Sequence, residues 1–365
     1  MAPSITRAFR TAFMCLTFAS LAACGGGDDD DDNSEAARAD DPQPIATAQM
    51  QAVLDELAAL GAKPLNTLTV EQARTQPTPA DAVRSLLVKQ GKSTAPEAVG
   101  SVVNRTFPGP GGALPIRIYT PAGTGPFPVV LYIHGGGWVI ANIDTYDASA
   151  RAITNAAGAI VVSTHYRQAP EFKFPAAHDD TYAAYQWVLA NAAAIGGVAA
   201  KVAVVGESAG GNMAASITLR ARDANIQKPL HQVLVYPVTN YAYDTPSQIQ
   251  NRNAAPLNTA ALPWFYDRYL ATPADGANSL FSVLRAASLA GLPPATVITA
   301  DIDPLRSEGR AYAERLREAG VAVDYVNVAG VTHEFFGMTA VVDEAKAAVA
   351  RVGANLKAAF AAAGP

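Results

Sequence analysis

Hydrophobic positions along this chain follow two different periods. Between residues 47 and 60, Met50, Val53, Leu54, Leu57 and Leu60 recur at helical spacing, so one helix face can be buried, with Thr47 placed to cap its start and Gly61 to stop it. Shorter helical patterns follow at 70–74 and 80–89. Beyond residue 100 the period changes to short β-branched runs, at 129–133, 159–163, 202–205, 233–236, 296–300 and 323–328, separated by alanine-rich helical stretches. Those runs lack polar alternation, as strands covered on both faces do, and the helices between them fit βαβ crossovers. The expected fold class is α/β, a mostly parallel central sheet flanked by helices. Residues 240–280 break the alternation with Asn, Thr, Pro and the aromatics Tyr241, Tyr243, Trp264, Phe265, Tyr266 and Tyr269. They read as an insertion that packs with the N-terminal helices of residues 45–100 as a cap.

Composition changes this picture mainly at the N-terminus. Arg7 and Arg10 precede an apolar stretch over 11–23 that is too short to span a bilayer as a mature helix, which is the layout of a secretory signal over residues 1–23. The junction Leu21-Ala22-Ala23-Cys24 resembles a bacterial lipoprotein processing box, so Cys24 is the expected lipidation site. The expected location is exported, anchored by lipid at the periplasmic or outer-membrane face. Residues 24–44, glycines followed by five aspartates and a polar run, read as a flexible tether. The aspartate run does not make a calcium loop, because Asn33 and Ala39 stand where Gly and Glu are needed. The chain's two cysteines, Cys15 and Cys24, both precede the folded body, which therefore has no disulfide framework.

Charge is equally lopsided. Residues 1–44 carry three arginines and eight acidic residues, which accounts for the whole formal charge of −5 and leaves residues 45–365 balanced. A neutral body has no basic footprint, so no nucleic-acid partner is expected. No metal or other cofactor is called for either: Gly91-Lys92-Ser93 lacks the glycine a phosphate loop needs at position 86, and Thr332-His333-Glu334 lacks the second zinc-ligating histidine at 337.

The sharpest chemical signal is Gly206-Glu207-Ser208-Ala209-Gly210-Gly211, set between an apolar run and a helical pattern. A glycine two residues either side of Ser208 permits a strained strand-to-helix turn that lifts the hydroxyl clear of the sheet for attack. A serine needs a base to take its proton and a carboxylate to orient that base. Only His231 and His333 lie downstream. His231 precedes its strand and falls at the amino edge of the sheet, whereas His333 follows one and falls at the carboxyl edge where ligands bind, so His333 is the expected base. Asp301 and Asp303 both follow the run 296–300, and spacing leaves them tied as the acid. His134-Gly135-Gly136-Gly137-Trp138 follows the run 129–133; its glycines, with the N–H of Ala209, can offer donors to an oxyanion.

With these motifs the chain resembles the hormone-sensitive-lipase-like family of α/β-hydrolases, the bacterial HGGG-motif carboxylesterases. The resemblance covers roughly residues 115–350 and rests on His134 to Trp138, Tyr166-Arg167-Gln168-Ala169-Pro170-Glu171 with Phe174-Pro175, Gly206 to Gly211, Asp303-Pro304-Leu305, and His333 with Phe335. It implies an α/β-hydrolase fold with a helical cap over a catalytic domain at 101–365, a cofactor-free serine esterase acting on short- to medium-chain acyl esters, and Asp303 as the acid. It also implies Gly136, Gly137 and Ala209 as the oxyanion donors. Trp138 is expected to line the pocket, and the Tyr166–Glu171 stretch to hold a turn. Glu334 departs from the glycine common after the family's histidine. The triad alone also fits an amidase or peptidase, and the scaffold also carries ligand-binding proteins. A small-molecule ester is the expected partner, membrane contact is expected only through the lipid, and the oligomeric state is open, a homodimer included.

Overall fold

A computed structural model describes residues 44–364. The leader, Cys24 and all of the tether but Pro44 lie outside the described residues. The helical spacing at the start of the body becomes α1 (Ala48–Ala59), whose cap Thr47 accepts from the Met50 N–H, and Gly61 ends the turn beyond it at φ +88°. The next two patterns become α2 (Val70–Thr75) and α3 (Pro79–Lys89), each opened by a threonine capping box at Thr69 and Thr78.

Two strands follow that are not among the expected runs, β1 (Ser101–Gly109) and β2 (Gly112–Thr120), although Leu114, Ile116 and Ile118 of β2 alternate into the core. They pair antiparallel, Phe107 opposite Leu114. In β1 only Phe107 is buried, so the strand shows neither a continuous apolar run nor a clean alternation, and prolines at 108 and 115 further weaken the signal. Every run expected to be a strand is one. In chain order come β3 (Phe127–Ile133), α4 (Asp147–Ala157), β4 (Ile160–Thr164), α5 (Ala176–Asn191), β5 (Gly197–Glu207), α6 (Ala209–Asp223) and β6 (Gln232–Val235). The insertion contributes α7 (Pro246–Gln250) and α8 (Ala261–Tyr269), and then β7 (Ala295–Ile302), α9 (Arg306–Glu318), β8 (Val323–Thr332) and α10 (Asp343–Ala362) complete the described chain.

The eight strands form one sheet in the order β1-β2-β4-β3-β5-β6-β7-β8, antiparallel at β1/β2 and β2/β4 and parallel from β4 to β8. Its central strand shows why the apolar runs do not alternate. Val129, Leu131 and Ile133 enter the cluster under α5, α6 and α9, while Val130 and Tyr132 enter the cluster under α1, α4 and α10. All five are fully buried, and burying such side chains contributes about 1.5–3 kcal/mol each. No described helix is long and apolar enough to cross a membrane.

The N-terminal helices and the insertion meet above the carboxyl edge of this sheet. Trp264 of α8 donates its indole N–H to the Leu68 carbonyl at 2.9 Å. Arg74 of α2 donates to the carbonyls of Val139 and Ala169 and forms a two-pronged pair with Glu171 at 2.7 Å.

Candidate active site

The strand end at Glu207 and the helix start at Ala209 leave Ser208 alone in the turn, at φ +56° and ψ −119°. Its N–H donates to the Val235 carbonyl at 2.9 Å, which pins the turn to the next strand. A Cβ on Gly206 would lie 2.1 Å from the Gly210 carbonyl oxygen, and one on Gly210 would lie 2.1 Å from that of Ile133. The two flanking glycines are therefore required by close approach of backbone to backbone. Ser208 is nearly buried, but its hydroxyl reaches a cavity of about 540 Å³.

A shift in strand register brings the other two groups to that hydroxyl. From the pair Ala300–Val328 to the pair Ile302–Thr332, β7 advances two residues and β8 advances four, with Gly330 at φ +66° in the extra length. Asp303 and His333 each follow one member of the second pair, so they leave the sheet side by side. His333 Nε2 lies 2.9 Å from Ser208 Oγ, and His333 Nδ1 lies 2.7 Å from Asp303 Oδ2. A carboxylate can only accept, so Nδ1 carries the proton and Nε2 is free to accept from the Ser208 hydroxyl. Asp303 is fully buried, and its other oxygen accepts from the Leu305 N–H at 2.8 Å. Burial opposes a charge on His333, but contact with Asp303, helped by Glu334 and Glu207, outweighs it and holds the imidazole above its ordinary value.

The residues not brought to this chain are placed as clearly. Asp301 turns to Arg306 at 2.9 Å and Asn327 at 3.2 Å. His231 lies at the opposite end of β6 from the Ser208 turn, where it bonds Thr296 at 2.8 Å, and burial pushes it down to about 4.

The glycine loop after β3 forms one wall of the cavity through Gly136 and Gly137. Among the described residues neither N–H has a hydrogen-bond partner, and that of Ala209, at the first position of α6, has none either. Gly136 and Gly137 thus line the same cavity as Ser208, and Ala209 follows Ser208 directly at the positive end of the α6 dipole. Gly136 holds φ +96°, and a Cβ there would meet the Ile140 carbonyl oxygen at 2.2 Å. The Tyr166–Glu171 stretch braces the loop from behind: Tyr166 Oη donates to the Gly135 carbonyl at 2.9 Å, and Gln168 donates to those of Ile140 and Ala141 at 2.7 and 2.9 Å. Trp138 is among the cavity's lining residues, but its ring is fully buried and stacks on Tyr269 at 4.7 Å.

Beneath the site lies a second acid that the motif alone does not explain. Glu207 is fully buried and accepts from the hydroxyls of Tyr132 and Tyr236. Burial pushes it up to about 7, although both tyrosines favour its charged form. Tyr236 in turn packs its ring on His333, with centroids 4.4 Å apart. The remaining cavity wall is largely apolar, with Leu54 and Leu57 from α1 and Leu257, Leu262 and Phe265 from the insertion. Two polar features had no local sequence signal: Tyr146, whose hydroxyl holds Glu334, and Arg74, which ties α2 to the end of the glycine loop.

A model of the α/β-hydrolase fold matches residues 130–337 of the chain. An ethyl acetate hydrolase of Pseudomonas putida is 34% identical over 286 residues, covering 77% of this chain and 88% of that protein. The carboxylesterase NlhH of Mycobacterium tuberculosis is 40% identical over 248 residues, covering 67% and 78% respectively. Among solved structures, a thermostable esterase from Pseudomonas putida ECU1011 superposes with a TM-score of 0.79 at 34% identity, covering 87% of this chain and 99% of that one.

Proposed function

The chain belongs to the hormone-sensitive-lipase-like family of α/β-hydrolases and is a carboxylesterase, and from that premise we propose that Ser208 is its nucleophile, His333 its general base and acid, and Asp303 the carboxylate that orients His333. The observation that carries this reading is the continuous hydrogen-bonded chain from Ser208 through His333 to Asp303, at 2.9 and 2.7 Å. His333 takes the hydroxyl proton as Ser208 Oγ attacks the ester carbonyl, then gives it to the departing alcohol. The N–H groups of Gly136, Gly137 and Ala209 receive the oxyanion. Water then releases the acid by the same steps in reverse order.

Substrates of this reading are short- to medium-chain acyl esters, because the cavity is small and mostly apolar. The test is kcat/KM along an acyl-chain series of nitrophenyl esters, with a matched anilide. A maximum at about two to eight acyl carbons with the anilide far slower supports the reading. A maximum at the longest chains, or comparable anilide turnover, overturns it in favour of a lipase or an amidase.

Two further outcomes follow from the site. Because His333 must be neutral to accept a proton and its value is raised above 6.5, kcat/KM should fall as pH drops through a midpoint above 6.5. A midpoint at or below 6.5 contradicts the field assigned to Asp303, Glu334 and Glu207. Gly136→Ala forces a side chain into the Ile140 carbonyl and should lower kcat by about 10²–10³, the cost of a displaced oxyanion donor; a loss below tenfold would remove that loop from the oxyanion site. The lipid anchor at Cys24 rests on the sequence pattern, and labelling of producing cells with radioactive palmitate tests it. Incorporation lost in Cys24→Ala supports the anchor, and equal incorporation rejects it.

A further inference from the structure

The triad and the oxyanion donors leave one charged group at the reacting atoms without a task. Glu334 directly follows His333 and lines the same cavity as Ser208. It holds φ +73°, the left-handed region that a glycine would occupy freely and that strains any residue bearing a Cβ. Its carboxylate is not left to roam: Tyr146 Oη lies 2.7 and 2.8 Å from the two oxygens. Tyr146 is itself buried and tightly seated, since its hydroxyl lies 2.4 Å from where a Cβ on Gly135 would stand. The result is a carboxylate oxygen fixed 3.9 Å from His333 Nε2, too far for a direct hydrogen bond.

That gap has the size of a bridging water. One water giving a hydrogen to each of two acceptors at about 2.8 Å spans roughly 4.4 Å between them at its own bond angle, close to the 3.9 Å found. In the free enzyme Nε2 is engaged by Ser208, but once the alcohol has left with its proton, Nε2 is a free acceptor beside Glu334. We propose that Glu334, seated by Tyr146, is the second anchor of the hydrolytic water: in the acyl-enzyme the water donates one hydrogen to His333 Nε2 and the other to the Glu334 carboxylate. The water oxygen then attacks the acyl carbon as one proton passes to Nε2. The C–Oγ bond breaks, Ser208 Oγ recovers that proton from Nε2, and the carboxylic acid leaves carrying the second hydrogen. Glu334 gains and loses no proton. Its contribution is confined to deacylation by water.

This inference rests on Ser208 as the nucleophile, and the test separates the two. Methanol has a single hydroxyl hydrogen, which His333 takes, so methanolysis of the acyl-enzyme does not need Glu334. The full chain, Glu334→Gln and Glu334→Gly are compared on nitrophenyl acetate with added methanol, at a pH above the titration of His333. The ratio of methyl acetate to acetate formed should rise about tenfold in Glu334→Gly, the worth of one hydrogen bond to a charged group, and by less in Glu334→Gln, which keeps an acceptor oxygen. Glycine also relieves the left-handed strain, so misfolding cannot account for the change. A group that only packs, or only sets the field at His333, slows water and methanol alike, and an unchanged ratio in Glu334→Gly overturns the proposal. Absence of any acetyl adduct on Ser208 in quenched wild-type enzyme would instead overturn the reading of Ser208.

Discussion

Ser208→Ala should lower the turnover of a short-chain nitrophenyl ester by about 10⁶-fold, the loss typical when the nucleophile of such a triad is removed. The size follows from the division of labour in the site. In the proposed mechanism His333 and Asp303 act only through the Ser208 hydroxyl, at the end of a hydrogen-bonded chain of 2.9 and 2.7 Å. Without that hydroxyl both are idle, and what remains is the binding cavity and the three unpaired N–H groups, worth about 10³–10⁴ over water. Alanine keeps the Cβ at φ +56° and adds nothing to a nearly buried position. The thermal midpoint should therefore hardly move, which separates lost chemistry from lost folding. Retention of more than about one per cent of kcat would place the nucleophile elsewhere.

The next largest effect separates two aspartates only two residues apart. Asp303→Asn should cost about 10⁴ in kcat near neutral pH, and Asp301→Asn less than about tenfold. An amide in place of the Asp303 carboxylate can present an N–H to His333 Nδ1. The ring then carries its proton on Nε2, where it cannot accept from Ser208. Asp301 has no such reach, because its carboxylate is taken by Arg306 and Asn327. Its loss weakens one of several bonds to the buried Arg306, which keeps the Asp301 carbonyl and Gln250, so the cost falls on the start of α9 and not on His333. Paired kcat measurements on the two variants decide the matter, and the opposite order of effects would transfer the orienting role to Asp301.

The contrast between these aspartates also marks where sequence reasoning ran out. Both follow the same apolar run, and spacing cannot tell which one turns inward. The answer lies in the register shift between β7 and β8, which sets Ile302 opposite Thr332 and so sends Asp303 and His333 off the sheet together. A shift of this kind depends on how two strands far apart in sequence pair, and no local pattern reports it. The same limit hid β1 and β2. β1 is mostly exposed and carries little burial signal, and Pro115 interrupts the short alternation of Leu114, Ile116 and Ile118 in β2; both become strands because β2 completes the edge of β4. The Glu207 cluster is another case: its partners Tyr132 and Tyr236 come from β3 and from the end of β6, some 75 and 29 residues away.

The sequence by itself determined most of the elements and the chemical type of the site. Short β-branched runs without polar alternation favour strands between helices, glycines around a serine permit a sharp turn, and three glycines after a strand allow backbone N–H groups to stay open. Each of these rests on local sterics and the period of burial, which are written in neighbouring residues. Spacing left Asp301 and Asp303 tied and the family resemblance implied Asp303; only the tertiary structure decided that Asp303 meets His333, that Tyr146 holds Glu334 at 3.9 Å from Nε2, and that Arg74 and Trp264 bind the N-terminal helices over the cavity. Those are contacts between distant segments. Their geometry is set by strand register and by packing against both faces of the sheet, and it exists only when the whole core has formed.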